Sequence, residues 1–251
     1  MWPGRLSLIN EGKTMRSFLY SLLTISILFL VSCQDGGNKA TVIYFTEQEV
    51  STEPYETRMF VTRDYLRIDD GKDSSGYILL DRKKQIINSV STDEQRILVI
   101  RKLATGIGKD NTLVHEARLQ DDQPPMVGGK TVRHYQLVTN KKKCYELFAA
   151  KGLLPEAVKA LQEYRRILAG EHARTAASMP QELRSDCDFA NHVAAPDRHL
   201  HLGFPVLTID MTGRKRQLKD FKKNQAVSME LFRLPAGFKS FGIQPGAEGA
   251  S

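Results

Sequence analysis

Tryptophan occurs once in the 251 residues and cysteine three times. So few cysteines exclude a disulfide-dense miniprotein. Glycine and proline, 18 and 10 residues, are too few for a collagen-like or low-complexity chain. No apolar run reaches the roughly 20 residues of a spanning helix, which excludes a polytopic membrane protein built of helices. G-x-S-x-G, H-E-x-x-H and C-x-x-C are all missing, and with them the familiar signatures of serine hydrolases, zinc proteases and dithiol redox enzymes. Neither charge sign dominates: 36 Lys+Arg stand against 29 Asp+Glu, a net +7. What is present is ordinary globular material, 41% hydrophobic and 26% charged, enough for one sizeable core.

The longest apolar run covers residues 18–31 (FLYSLLTISILFLV). Met15-Arg16 precedes it, and small Ser32 and then Cys33 follow. A short basic start, an apolar stretch and a small-residue site form a secretory layout, so residues 1–32 leave the fold argument. Met15 is the expected start, since residues 1–14 carry an acid and do not fit such a leader.

Leu30-Val31-Ser32-Cys33 resembles the lipobox of bacterial lipoproteins. The resemblance implies that the Cys33 thiol accepts a diacylglyceryl group and that cleavage falls before it. Each buried methylene contributes about 0.8 kcal/mol, so two or three acyl chains anchor stably. By the sorting rules of that family, Gln34 after the cysteine points to the periplasmic face of the outer membrane. Residues 33–39 are then a lipidated, Gly-rich tether, residues 40–240 one domain, and residues 241–251 a mobile tail.

From Ala40 to Leu147 the chain reads as short alternating β runs, spaced about 10 residues apart as in a meander. Examples are Thr41–Thr46, Thr57–Thr62, Tyr65–Ile68, Tyr77–Leu80, Gln85–Val90 and Arg96–Ile100. At Leu153 the period changes. Leu154, Val158, Leu161 and Leu168 recur at helical spacing behind Pro155, and Gly170 is the expected stop. A second helix is expected near Pro180, with Leu183 and Cys187 one turn apart. Strands return over Leu202–Met211, Arg214–Lys223 and Ala226–Leu234. No βαβ alternation appears. The expected fold is therefore α+β: a curved antiparallel sheet, half-barrel-like, with two helices packed on one face.

The stretch from Tyr55 to Ile100, with Leu66-Arg-Ile-Asp69 and Ile78-Leu-Leu-Asp-Arg-Lys83, resembles the LolA/LolB-like periplasmic lipoprotein-carrier fold. Leu231–Phe238 resembles its last strand. That resemblance implies a half-barrel with a helical lid over an apolar cavity for acyl chains.

Cys144 and Cys187 would then mature in an oxidising compartment, and a disulfide between them is expected. Two buried thiols, or metal ligands together with His192, are the alternatives. His199-Leu-His201 would put two imidazoles on one strand face, a weak metal signal. Asp69, Asp70 and Asp73 read as a solvated turn, and Gly106-Ile-Gly108-Lys109 as a loop rather than a phosphate-binding motif. Two basic clusters, Lys141, Lys142 and Lys143, and Arg214, Lys215, Arg216, Lys219, Lys222 and Lys223, form a candidate face for anionic headgroups or envelope polymers. No metal site, cofactor or nucleic-acid partner is expected. The functional expectation is a non-enzymatic lipoprotein. It would bind an acyl chain, a lipid or a lipoprotein, or else contact envelope polymers or proteins through its basic face.

Overall fold

The computed structural model describes residues 39–72, 76–103, 113–180, 182 and 184–242. Among these residues twelve strands form one sheet. In chain order they are β1 Lys39–Gln48, β2 Tyr55–Val61, β3 Tyr65–Asp69, β4 Tyr77–Asp81, β5 Ile86–Ser91 and β6 Arg96–Arg101. Then come β7 His115–Leu119, β8 Val132–Thr139, β9 Lys142–Ala150, β10 Phe204–Asp210, β11 Lys215–Ala226 and β12 Lys239–Gly242. The helices are α1 Pro155–Ala177 and the short α2 Asp186–Phe189, which runs on into a π turn over Ala190–Ala194. Short 3-10 segments cover Arg198–Leu202 and Met229–Phe232.

The sheet order is β12-β6-β5-β4-β3-β2-β1-β11-β10-β9-β8-β7. The first six strands form a meander, and β11 returns beside β1 to join the second group. All neighbours are antiparallel except β12, which runs parallel to β6 with Lys239 opposite Arg96.

These pairings correct the expected curved antiparallel half-barrel. The sheet is mixed and open, with β12 and β7 as its two edges. It is neither closed nor strongly curled. The distribution of apolar residues gives the reason. A half-barrel needs one apolar face to curl around. Here β1 feeds both faces: Ile43 and Phe45 enter the main core, while Val42 and Tyr44 enter a second cluster with Phe60, Leu79 and Phe232. With both sides covered, curling gains nothing.

The main core joins strand residues such as Met59, Leu66, Leu80 and Ile87 to Leu154, Ala157, Leu161 and Ile167 of α1 and its approach. Each such side chain contributes roughly 1.5–3 kcal/mol on burial. All of these residues lie within 39–242, and the chain from Asn38 onward forms one compact unit.

Two local expectations also change. α1 passes through Gly170 instead of stopping there. Gly170 is buried, and a Cβ on it would sit 3.1 Å from Leu103. The glycine serves close packing against the end of β6, not termination. Residues 226–234 were expected as a strand, but a 3-10 turn stands at Met229–Phe232, opened by Ser228, whose hydroxyl accepts from Glu230 N–H. That turn delivers Phe232 onto the outer face, where it stacks on Tyr65 at 5.3 Å. Leu183 lies outside the described residues.

Candidate functional site

The Cys144–Cys187 disulfide is formed and ties β9 to α2. Cys33 and the Gly106–Lys109 motif lie outside the described residues, as does Asp73. Asp69 is buried between Arg58 and Arg67 and accepts from Gly71 N–H, so its charge is matched inside the sheet. No helix among the described residues is long and apolar enough to cross a membrane. Among the same residues no three His, Cys, Asp or Glu side chains converge as metal ligands would.

The basic residues are divided by strand geometry. The β8–β9 turn carries Lys141, Lys142 and Lys143, and the β10–β11 turn carries Arg214 and Lys215. Tyr145 lies opposite Asp210, so antiparallel pairing brings both tips to one end of the sheet. Several of these charges are already met: Lys143 by Glu146, Arg214 by Glu47, and Lys219 by Glu56. Lys222 and Lys223 lie toward the other end of β11, near the rings of Tyr44 and Phe221. That end is roughly 25 Å from Lys215 at about 3.3 Å per residue.

Arg216 is different. Strand alternation sets it apart from Lys215 and turns it beneath α1, where its guanidinium lies 4.0 Å from the Phe45 ring centre. There it lines a cavity of about 50 Å³ with Arg165 of α1, His199, Tyr145 and Thr208. A water needs roughly 10–15 Å³ by this measure, so the space suits a few waters or one small anion.

The electrostatics of this cavity are lopsided. Among the described residues Glu47 is the carboxylate paired with Arg216, 3.4 Å from its Nε, yet that nitrogen has no hydrogen-bond partner. Glu47 is shared with Arg214 at 3.0 Å and also accepts from the Thr57 hydroxyl at 2.8 Å. Burial works against its charge, but Arg216, Thr57 and Arg214 outweigh it and hold the carboxyl below its ordinary value. Burial in turn lowers the Arg216 pKa. Arg165 has no carboxylate within ion-pair distance among the described residues.

Burial first, then Arg165, Arg198 and Arg216, push His199 down to about 3. The imidazole is therefore neutral at ordinary pH. Burial also pushes the Tyr145 phenol up. The cavity thus holds two cations with neutral hydrogen-bonding groups around them. Arg216 shares Glu47 with Arg214, and among the described residues half-buried Arg165 has no carboxylate of its own, so a bound anion would balance the second cation.

The two histidines do not share a face. His199-Leu-His201 lies in a 3-10 turn, not a strand, so positions two apart diverge by about two-thirds of a turn. His199 faces the cavity, while His201 is exposed and 3.5 Å from Asp197. Arg198 fixes the segment through His115 (2.8 Å), Thr139 (2.8 Å) and Asn191 (2.6 Å). No sequence signal marked Arg165. It reads as one more charge on the polar face of a helix, and only the packing of α1 reveals its neighbours.

A pH prediction follows from His199. Its pKa is about 3 in the fold against 6.5 in the unfolded chain. The unfolded state therefore binds the extra proton first. Stability is full above about pH 6.5 and falls toward pH 3, by up to about 1.4 kcal/mol per pH unit. His115, His172 and His192 are also lowered, chiefly by burial, and act in the same direction. Urea midpoints of wild type and His199→Asn between pH 4.5 and 6.5 isolate the His199 share. The variant should show a shallower slope by about 1 kcal/mol per unit. Parallel slopes would refute the assignment.

No family model matches the chain, and no curated protein does. Among solved structures, it is similar to an uncharacterized conserved protein from Thermus thermophilus. There the TM-score is 0.42 at 8% identity, covering 90% of this chain and 99% of that one. It is also similar to PNGF-II in two crystal forms, with TM-scores of 0.40 at 9% and 10% identity. Those matches cover 81% of this chain but 31% of PNGF-II, so the chain spans about a third of that protein's length.

Proposed function

We propose that this chain is an envelope lipoprotein, held through Cys33 at the periplasmic face of the outer membrane. Its folded domain acts as a non-enzymatic binding module for a small anionic group. The lipobox-like segment supports the anchor, and a disulfide of the kind that persists in oxidising compartments suits that location. The observation that carries the ligand class is the pair Arg165 and Arg216 lining one cavity, with Glu47 beside Arg216 and no carboxylate among the cavity's lining residues.

Size narrows the ligand. Pockets for drug-sized ligands run about 300–1,000 Å³, against about 50 Å³ here. That space suits a carboxylate-sized group better than an acyl chain. Guanidinium forks also match planar carboxylates well. A second reading, contact with anionic envelope polymers, draws on the two basic hairpin tips at one end of the sheet.

The test is a formate titration of the domain from Asn38 onward, followed by the His199 ring resonances. Saturable shifts are expected, with a rise in the His199 pKa as the added negative charge favours imidazolium. Arg165→Gln should weaken the response at least tenfold while leaving the fold intact. No saturation, or equal binding by the variant, would sink the proposal.

A further inference from the structure

A second basic site lies on the other flank of the 3-10 segment Arg198–Leu202. Strand alternation turns Thr131, Arg133 and Tyr135 of β8 and its approach to one face. Arg133 stands opposite Ala149, so Ala149 and then Lys151 come to the same face. His201 and Leu202 form the opposite wall. Together with Lys130 these residues line an open groove of about 420 Å³.

The scaffold under the three cations is tightly defined. Val127 and Lys130 exchange backbone hydrogen bonds of 3.0 and 2.9 Å across Gly128 and Gly129, which both have positive φ. A Cβ on Gly128 would meet Phe221 at 2.8 Å and Leu153 at 2.9 Å, so this turn is seated directly on the core. It carries the Lys130 ammonium over Gly152, within 3.8 Å of where a Cβ there would stand, and so beside Lys151 in sequence. From the other side, a Cβ on Gly203 would stand 2.7 Å from the backbone of Ala150 and Lys151. The exit of the 3-10 segment is therefore pressed against the end of β9.

The charges in this groove are unmatched. No carboxylate lines it, and Lys130, Arg133 and Lys151 have no ion-pair partner among the described residues. Gathering like charges on a fixed scaffold works against folding, and it focuses an anion-attracting potential.

We propose that this groove binds a phosphate group. Two ammonium groups act as point charges and one guanidinium as a fork, Lys130 and Arg133 from the approach and start of β8 and Lys151 from just past β9. That arrangement suits a tetrahedral anion with its charge spread over several oxygens, whereas the smaller two-arginine cavity suits a planar one. The groove is open enough to admit a phosphate that remains attached to something larger. This site involves neither Arg165 nor Arg216, so it stands or falls apart from the cavity beneath α1.

The domain from Asn38 onward would be titrated with inorganic phosphate by calorimetry. In parallel it would be sedimented with phosphatidylglycerol vesicles and with phosphatidylcholine vesicles as the neutral control. The variant Lys130→Ala/Arg133→Ala/Lys151→Ala changes only exposed side chains, and retention of its thermal transition checks the fold. Saturable phosphate binding, weakened at least tenfold in the variant, would support a free phosphate ligand. Salt-sensitive sedimentation with phosphatidylglycerol alone, lost in the variant, would support a lipid headgroup. Arg165→Gln should leave either signal unchanged. Binding of neither probe by wild type, or equal binding by the triple variant, would overturn the proposal.

Discussion

Replacing Arg82 by methionine should destabilise the domain by about 3 kcal/mol or more, the range for breaking a buried ion pair. Arg82 opens the β4–β5 turn, beside the β2–β3 turn, with its side chain only 6% exposed. Its Nε and Nη2 donate to Glu163 of α1 at 2.7 and 3.1 Å. Its Nη1 donates to the carbonyls of Thr62 and Arg63 at 2.9 and 3.2 Å. One side chain therefore fixes a hairpin turn and clamps α1 to the sheet. Methionine keeps the stem's packing but leaves Glu163 and two carbonyls unmatched. Urea unfolding should show the loss directly. At about 2–4 °C per kcal/mol for a domain of this size, the melting temperature should fall by roughly 6–12 °C. Glu163→Gln should lose less, since it keeps an acceptor for the guanidinium. A loss below about 1 kcal/mol in Arg82→Met would show that the clamp is dispensable.

The same residue marks the limit of what could be read from the sequence. Arg82 belongs to Asp81-Arg-Lys-Lys84, which has the composition of an exposed turn, and the turn is there. What composition does not carry is the partner, because Glu163 lies far along the chain on a helix whose own pattern assigns it to the polar face. The strands β1–β6 were legible because each alternates or runs apolar and is bounded by turn residues. The helix core over 155–168 was legible for the equivalent reason at period 3.6. Sheet order was not. That β11 returns to β1, and that β12 joins β6 in parallel, depends on long-range register that no local window encodes. The half-barrel expectation came from the order of strands and helices and was reinforced by a resemblance, and the double-sided apolar pattern of β1 was the feature that should have opposed it. Gly170 misled because a glycine near a helix end reads as a stop, while here its missing side chain admits Leu103. The basic runs gave the right residues for charge but no account of direction. Within Arg214-Lys-Arg216 the strand period turns Arg216 beneath α1, away from Lys215.

Removing the disulfide by Cys144→Ala/Cys187→Ala should cost about 4 kcal/mol. The bridge closes a separation of 43 residues, and the chain-entropy model gives about that figure for such a loop. The loop it closes contains the whole of α1, the helix that carries Arg165 and accepts the Arg82 clamp. Its far end is α2, which leads through the π turn to the Arg198–Leu202 segment that lies between the two basic sites. The effect on the native state should therefore be uneven. Hydrogen exchange should speed most over residues 155–202, and least over β1–β5, which keep their meander pairing without the bridge. The loosened helix should also blunt the formate response at His199, while the groove at Lys130, Arg133 and Lys151, built on β8, β9 and the Val127–Lys130 turn, should keep more of its phosphate affinity. Wild type under reducing agent should follow the double variant. A loss below about 1 kcal/mol, or faster exchange spread evenly over the sheet, would mean that α1 is held by its apolar face and Arg82 alone, with the bridge contributing little to either site.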